Sequence, residues 1–212
     1  MSNQIGCIVT DVVAYGMPRA TPAGIRDEIV DETSALIARH GFANTSLQQI
    51  ADAVGYSKAG ILRYFPTKTA IFAAAIDAVR EQASTLLKAV EGIESGFARD
   101  RSALEHMVGQ VYLRPGVSAM VSSLVALDSP AGEPDALESA GMVVLTAFGL
   151  DPESLDQQRL VRVVVATQGA CIAAQTAVRV DLKREWRDHI VRAALDALGH
   201  VQHRVEGEEV EK

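Results

Sequence analysis

Cysteine and aromatic residues are both scarce in this chain of 212 residues. The two cysteines, Cys7 and Cys171, lie far apart, which excludes a disulfide-rich scaffold and is typical of a protein from a reducing compartment. Aromatic residues make up 5% of the chain, hydrophobic residues of all kinds 48%, and alanine is abundant. This composition favours helices over a β-sandwich.

Positive charge is also in short supply. The chain has 20 Lys and Arg residues against 27 Asp and Glu residues, a net charge of −7. That balance excludes a uniformly basic nucleic-acid coat protein, although it leaves room for a local basic face. The sequence also lacks a phosphate-binding loop, a nucleotide-binding glycine pattern and a Cys-x-x-Cys pair. We therefore expect no enzymatic activity, no cofactor and no metal site.

Two histidine groups leave an enzyme or metal protein open as a weaker alternative. His200 and His203 lie three residues apart near Glu206, a spacing that can bind a metal ion. Their position at the end of the last predicted helix favours a solvated tail instead. His106 follows Glu105, but no nucleophile accompanies this pair.

Long uncharged hydrophobic runs are absent as well. The most apolar stretch, residues 160–180, is interrupted by Arg162 and Arg179, unlike a membrane-spanning helix. Residues 1–20 lack the basic start of a signal peptide and are predicted to be a flexible arm, within which Met17 is a candidate alternative start. Residues 204–212 are predicted to be an acidic disordered tail. We expect a cytoplasmic protein with no membrane partner.

Helical periodicity and capping residues predict an all-α fold. A three-helix N-terminal unit is joined by a long fourth helix to a larger helical body. Thr21, Ser46, Ser57 and Thr67 are predicted to cap the first four helices. The predicted helices cover residues 22–40, 47–54, 58–64 and 68–90, and then about 101–113, 117–127, 134–148, 153–179 and 183–203.

The second and third predicted helices have the properties of a helix-turn-helix. Ala51 is small enough for a close helix crossing, Gly55 tolerates the positive φ of the turn, and Ile61 can anchor the third helix. The other face of that helix is polar, so its first turn could enter the major groove of DNA. The polar residues are Ser57, Lys58, Arg63 and Tyr64. An ordinary three-helix corner of an all-α protein explains the same spacing equally well.

The stretch GFANTSLQQIADAVGYSKAGILRYFPTKTAIF, residues 41–72, resembles the N-terminal signature of the TetR family of transcriptional regulators. The matching features are Gly41-Phe42, Thr45-Ser46, Ile50-Ala51, Val54-Gly55, Ser57-Lys58, Ile61, Phe65-Pro66 and Thr67-Lys68. The resemblance implies a homodimer that binds a palindromic operator in double-stranded DNA, usually as a repressor, and that a small-molecule effector releases. It also implies a DNA-binding domain over residues 21–68 and a ligand-binding and dimerisation domain over residues 69–203.

By position in this signature, nine residues are expected to contact DNA. Lys68 corresponds to a phosphate-contacting lysine, and Leu62 stands where many members have a phosphate-contacting tyrosine. Tyr64 stands where histidine is common, and it could instead be a core anchor, just as Arg63 could be a solvated surface charge. The expected DNA-binding residues are Thr45, Ser46, Ser57, Lys58, Ala59, Gly60, Arg63, Tyr64 and Lys68.

The body is expected to hold the effector pocket and the dimer interface, with the long fourth helix as the lever between head and body. Its low charge favours an uncharged or lipophilic effector. The candidate pocket residues are Met107, Val111, Tyr112, Met120, Leu124, Phe148 and Gln168. The candidate interface residues are Ala166, Ala170, Ala173, Ala177, Trp186, Ile190, Ala193 and Ala197. Packing within the chain's own core is the alternative for both sets, and a helical ligand- or protein-binding module without DNA binding is the alternative for the whole protein.

Overall fold

The computed structural model describes residues 21–125, 134–151, 153–154 and 156–200. These residues form nine α-helices and no strand, which confirms the predicted all-α fold. The predicted N-terminal arm with Met17 and the predicted acidic tail lie outside them. The helices are α1 (Pro22–Asn44), α2 (Leu47–Val54), α3 (Lys58–Tyr64), α4 (Lys68–Ala89), α5 (Phe97–Leu113), α6 (Pro115–Val125), α7 (Pro134–Ala147), α8 (Gln157–Arg179) and α9 (Lys183–Leu198).

The first four helices begin where their capping residues predict. The hydroxyl of Thr21 accepts a hydrogen bond from the backbone of Gly24, and Ser57 and Thr67 do the same for α3 and α4. Ser46 forms a full capping box, since its hydroxyl accepts from the N–H of Gln49 and its own N–H donates to the Gln49 side chain. These bonds satisfy N–H groups that have no partner inside the helix.

Glycines account for several differences between predicted and observed helix ends. Gly41 has φ 77° and ψ 159°, so the straight part of α1 ends at residue 40 as predicted, but one further turn follows it. Gly199 adopts φ 100° and ends α9 at Leu198, five residues before the predicted end. Gly96, with φ 141°, precedes α5, which therefore starts earlier than predicted. Asp156 caps α8 and sets its start after the predicted residue 153.

Two hydrophobic cores divide the molecule. The head core is formed by buried side chains of α1 to α4, such as Ile29, Ile50 and Ile71, together with Val117 and Met120 of α6. The body core is formed by α5, α7, α8, α9 and the end of α4, and it includes Leu104, Phe148 and Leu195. Helix α4 thus contributes to both cores, and α6, a helix of the body by sequence position, belongs partly to the head.

A buried ionic cluster closes the body. Asp100, in the first turn of α5, is fully buried, and Nη2 of Arg159 donates to both of its carboxylate oxygens at 2.7 Å. Nε2 of His200 lies 2.7 Å from Oδ2 of the same carboxylate. The expectation that His200 lies in a solvated tail is therefore wrong, because the buried carboxylate needs these partners inside the body. His203 and Glu206 lie outside the described residues.

Helix α8 is the longest apolar helix of the body. By length and composition alone it could cross a membrane. Within the described residues it packs against α5, α6 and α9.

Candidate functional site

Helices α2 and α3 meet in a tight turn that holds α3 against the head. Gly55 adopts the left-handed conformation, φ 70° and ψ 25°, and ends α2. The N–H of Tyr56 then donates to the carbonyl of Ala51 at 2.9 Å. Ala51 and Ile61 are completely buried, so the two helices cross closely and α3 is anchored by one apolar side chain. The rest of α3 remains available to a partner.

The exposed surface of α3 lies opposite Ile61 and is formed by Lys58, Ala59, Leu62 and Arg63. We call this surface the reading face. No Asp or Glu occurs between residues 53 and 76, so the two cations stand in a locally basic region. Leu62 is 39% exposed and adds an apolar side chain between them. The predicted residues Ser57 and Gly60 complete this part of the site, where the hydroxyl of Ser57 accepts from the N–H of Gly60 at 3.0 Å.

Thr45, Ser46 and Tyr64, all predicted to bind DNA, have structural roles within the head. Thr45 is 2% exposed, and its hydroxyl donates to the carbonyl of Gly41 at 2.9 Å, which removes its side chain from the surface and corrects its assignment. Ser46 is exposed but caps α2. Tyr64 is half-buried and packs on the head core, as the core-anchor alternative expected.

Lys68 joins the start of α4 to the end of α1. Its ammonium donates to the carbonyls of Phe42 and Thr45, both at 2.8 Å, and lies 4.1 Å from the centre of the Phe42 ring. A cation is favourable here because carbonyls at the end of a helix have no partner within it. Two of its three N–H groups are used, which leaves one for a phosphate. Sequence reasoning found the residue but missed this role.

Arg26 is a second clamp, which the sequence analysis missed. Its guanidinium donates from Nη1 to the carbonyl of Tyr64 at 2.6 Å and lies 4.2 Å from the centre of the Phe65 ring. Arg26 lies on α1, so this bond fixes the end of α3 to the first helix. The sequence signal for it is weak, because an exposed arginine on a helix usually has only solvent around it.

A small cavity lies where α4, α5, α6, α7 and α8 meet. Its volume is about 20 Å³, enough for about one water molecule. Three predicted pocket residues line it, namely Met107, Val111 and Gln168. Its other lining residues are Gln82, Ser118, Val121, Ser122, Val144, Thr167 and Cys171.

The other predicted pocket residues lie elsewhere. Phe148 and Tyr112 belong to the body core, and Met120 is buried in the head core, so none of these three lines the cavity. The Tyr112 hydroxyl is buried without a hydrogen-bond partner, and burial raises its pKa. Leu124 lies on α6, but its side chain is outside the described residues.

The cavity lining is uncharged and largely apolar, with a few polar groups from glutamine, serine and threonine side chains. Nε2 of Gln82 donates to the hydroxyl of Ser118 at 3.1 Å, and Nε2 of Gln168 donates to the carbonyl of Ser122 at 3.4 Å. Burial raises the pKa of the Cys171 thiol, although a hydrogen bond with Ser122 opposes that shift. The cavity therefore suits a neutral group that donates or accepts hydrogen bonds.

Half of the predicted interface residues are buried within the chain itself. The alanine stripe of α8 packs inward, because Ala166, Ala170 and Ala177 all belong to the body core. Ile190 is buried there as well. The assignment of these four to a dimer interface is therefore corrected. Three others pack partly against the body core, and Ala193 alone of the predicted set is exposed; the three are Ala173, Trp186 and Ala197.

The outward face of α8 carries the exposed apolar side chains instead. Val161, Val165 and Ile172 are 62%, 57% and 63% exposed, and Val164 is 37% exposed. Separations of three residues (161 to 164), four (161 to 165) and seven (165 to 172) put them on one side of the helix. We call this the α8 outer face. Exposed apolar patches of this kind mark interaction surfaces more often than isolated exposed residues do.

Comparison with known proteins identifies the N-terminal segment. Residues 29–75 match the model of the family described as bacterial regulatory proteins, tetR family, which confirms the resemblance seen in the sequence. No curated protein matches the chain significantly.

Several solved structures are similar to this chain, with TM-scores below 0.5. A TetR transcriptional regulator from Rhodococcus sp. RHA1 is 22% identical, with 84% of this chain and 95% of that chain covered and a TM-score of 0.46. AibR, solved in complex with isovaleryl coenzyme A and operator DNA, is 19% identical, with 78% and 96% covered and a TM-score of 0.45. An ArpA-like gamma-butyrolactone receptor is 15% identical, with 85% and 99% covered and a TM-score of 0.41.

Proposed function

Because its residues 29–75 belong to the tetR family of bacterial regulatory proteins, we propose that this protein is a ligand-responsive repressor that binds a palindromic operator as a homodimer. A small-molecule effector releases it from the DNA. The exposed, basic reading face of α3, held by a rigid turn, is the observation that carries this proposal. We also propose that residues 21–68 bind DNA, that residues 69–203 bind effector and partner subunit, and that the protein is cytoplasmic and not an enzyme.

The reading face has the chemistry that the major groove requires. Arg63 is an exposed guanidinium, which can form two hydrogen bonds with a guanine edge. Lys58, Ser57 and the nearly bare backbone at Gly60 allow a close approach to the base edges or the phosphates. Lys68 and Ser46 lie beside this face and supply phosphate contacts. Thr45 is left out of the proposed site because it is buried.

Homodimerisation is supported by the α8 outer face. A palindromic operator needs two copies of α3 related by a two-fold axis. The same patch on both subunits can supply such a contact if it is self-complementary. Val161, Val165 and Ile172 form an exposed stripe that a second copy of α8 would bury, and Ala193 of α9 is exposed as well. We propose this face in place of the buried alanine stripe.

The effector is proposed to enter at the uncharged cavity. A cavity of about 20 Å³ is smaller than a ligand, so binding requires the surrounding helices to separate. If the operator binds the compact form better, a ligand that prefers the expanded form weakens DNA binding, and DNA weakens binding of the ligand by the same free energy. Because the lining is uncharged and combines aliphatic side chains with amides, hydroxyls and a thiol, the effector is expected to be uncharged and largely apolar, with some capacity for hydrogen bonds.

Selection against random double-stranded DNA tests the proposal. Purified protein is expected to recover one inverted-repeat motif. Arg63→Ala should then weaken binding to that motif by about tenfold or more. Arg101→Ala is the matched control, since Arg101 is an exposed arginine of α5 that pairs with Glu105. Absence of enrichment at low salt from a folded dimer would overturn the proposal and favour a helical binding module without DNA binding.

A further inference from the structure

The amino end of α6 is capped by a residue of the head. The backbone N–H groups of Gly116 and Val117 donate to Oδ2 and Oδ1 of Asp31 at 3.1 Å and 2.9 Å. The first N–H groups of a helix have no partner within it, and a carboxylate there also opposes the positive end of the helix dipole. Asp31 lies on α1, 85 residues before Gly116. A side chain of the head therefore completes a helix whose other face lines the cavity of the body.

The backbones of α1 and α6 also approach closely at this point. A Cβ atom added at Gly116 would overlap the backbone carbonyl of Asp31, whose carbon would lie only 2.7 Å away. The obstacle is backbone, which cannot rotate aside as a side chain can. Val117, the next residue, is fully buried in the head core. The first turn of α6 is thus fixed to α1 by hydrogen bonds, by steric fit and by burial.

The same helix forms one wall of the cavity. Ser118, Val121 and Ser122 of α6 all line it. Ser118 is bonded to Gln82 of α4, and the carbonyl of Ser122 accepts from Gln168 of α8. Entry of any group larger than a water molecule must displace some of this lining. Because three of the ten lining residues lie on α6, that helix is among the walls that must move.

Helix α1 continues the connection to the reading face. Arg26, five residues before Asp31, is bonded to the carbonyl of Tyr64 at the end of α3. A single helix joins these two contacts, and a helix transmits a displacement along its length because its backbone is internally hydrogen-bonded. The contacts therefore run from the cavity through α6, Asp31, α1 and Arg26 to α3 without passing along α4.

We propose that Asp31 and Gly116 form a coupling joint through which occupation of the cavity reorients the reading face. The proposal rests on the proposed function and specifies how that function is regulated. Asp31 acts as a positioning residue. It does not touch DNA or effector, but it couples binding at one site to binding at the other. The long α4, which the sequence favoured as the lever, is then not the only connection between head and body.

A cavity-filling substitution can replace the unidentified effector in the test. Cys171 lies on α8 and contacts Ser122 of α6, so Cys171→Phe pushes on α6 from the opposite wall. Affinity is measured by fluorescence anisotropy on the operator duplex recovered by DNA selection. Cys171→Phe alone should weaken operator binding by about tenfold, a typical size for coupling between sites. In the Asp31→Ala background the same substitution should weaken it by less than about threefold.

Controls separate the joint from simple loss of fold. Glu28→Ala removes an exposed carboxylate from the same helix, and Cys171→Phe should keep its full effect in that background. An equal effect of Cys171→Phe with and without Asp31 would overturn the joint, as would the absence of any effect in either background. Failure of the wild-type protein to select an operator would instead overturn the proposed function before any variant is made.

A measurement on the wild-type protein covers the case in which Cys171→Phe does not fold. Coupling is reciprocal, so DNA binding must change the joint if the joint changes DNA binding. The rate of amide hydrogen exchange in the peptide that contains Gly116 and Val117 should change by about threefold or more when the selected operator is added. A scrambled duplex at the same salt concentration should leave it unchanged. Identical exchange with operator and scrambled DNA would overturn the proposal.

Discussion

Arg26 and Tyr64 are separated by 38 residues in the sequence, yet a hydrogen bond of 2.6 Å joins the Arg26 guanidinium to the Tyr64 carbonyl. The same guanidinium lies over the ring of Phe65, and it fixes the end of the reading helix to α1. A charged donor is well suited to this position because the last carbonyls of a short helix lack partners.

Replacement of Arg26 by alanine is expected to weaken operator binding by loosening α3. It should also lower the free energy of unfolding by about 1 kcal/mol, the size of one such hydrogen bond near the surface. Urea unfolding and anisotropy measure the two effects. Arg39→Ala is the control, because the Arg39 side chain donates to the Ala35 carbonyl of its own helix. Equal results for the two variants would contradict the clamp.

Lys68 is predicted to contribute to both stability and DNA binding. Lys68→Met removes two hydrogen bonds to the end of α1, so the free energy of unfolding should fall by about 1–2 kcal/mol. Lys58→Met, at an exposed position, should change it by less than about 0.5 kcal/mol. If Lys68 also contacts a phosphate, Lys68→Met should flatten the salt dependence of binding by about one unit in a log–log plot. An unchanged free energy of unfolding would show that the two bonds contribute nothing.

Leu62 is predicted to read a thymine methyl group. It is an exposed large apolar side chain on the reading face, and apolar contact is how proteins recognise that methyl in the major groove. Replacing the thymines of the selected half-site by deoxyuridine, one at a time, removes only the methyl. At one position the wild type should lose about fivefold in affinity, whereas Leu62→Ala should lose almost nothing. Equal losses for both proteins at every position would contradict the assignment.

The α8 outer face is predicted to hold the dimer together. Ile172→Lys introduces a charge at a side chain that is 63% exposed, so the subunit should stay folded while self-association weakens. Sedimentation velocity over a range of concentrations measures the change. Leu113→Lys is the matched control, since Leu113 of α5 is 72% exposed and lies outside this face. An unchanged dimer dissociation constant for Ile172→Lys would exclude the α8 outer face as the dimer interface.

His106 is predicted to make the body less stable in mild acid. Burial lowers its pKa from the ordinary 6.5, so near and below that pH the unfolded chain binds a proton that the folded chain resists. Its contribution to stability is therefore lost as the pH falls through about 6.5. His106→Gln should flatten the slope of unfolding free energy against pH between about pH 7 and 5.5. An unchanged slope in His106→Gln would contradict this prediction.

Local signals in the sequence were sufficient for the head. The caps at Ser46 and Ser57 act over three residues, and the turn at Gly55 depends on its own φ, so both are readable along the chain. The clamps of Arg26 and Lys68 were not readable in this way. Their acceptors lie 23 to 38 residues away and are backbone carbonyls, which every residue has.

The body was harder to interpret for a physical reason. A stripe of alanines permits close packing against any helix, whether in the same subunit or in another, so Ala166 and Ala170 could not be assigned by spacing alone. Only the burial of each side chain shows that these alanines pack within the chain and that valines of α8 are exposed. Met120 shows the same limit, because a buried methionine fits either a pocket or a core.

The cluster around Asp100 also bears on the order in which the chain is completed during its synthesis. Asp100 is made 59 residues before Arg159 and 100 residues before His200. A buried carboxylate without partners is costly, so the body is not expected to close around Asp100 before His200 has been synthesised. The head core of the described residues draws on α1 to α4 and on α6, whose first turn is capped by Asp31. The head can therefore fold first, while the body is still being translated.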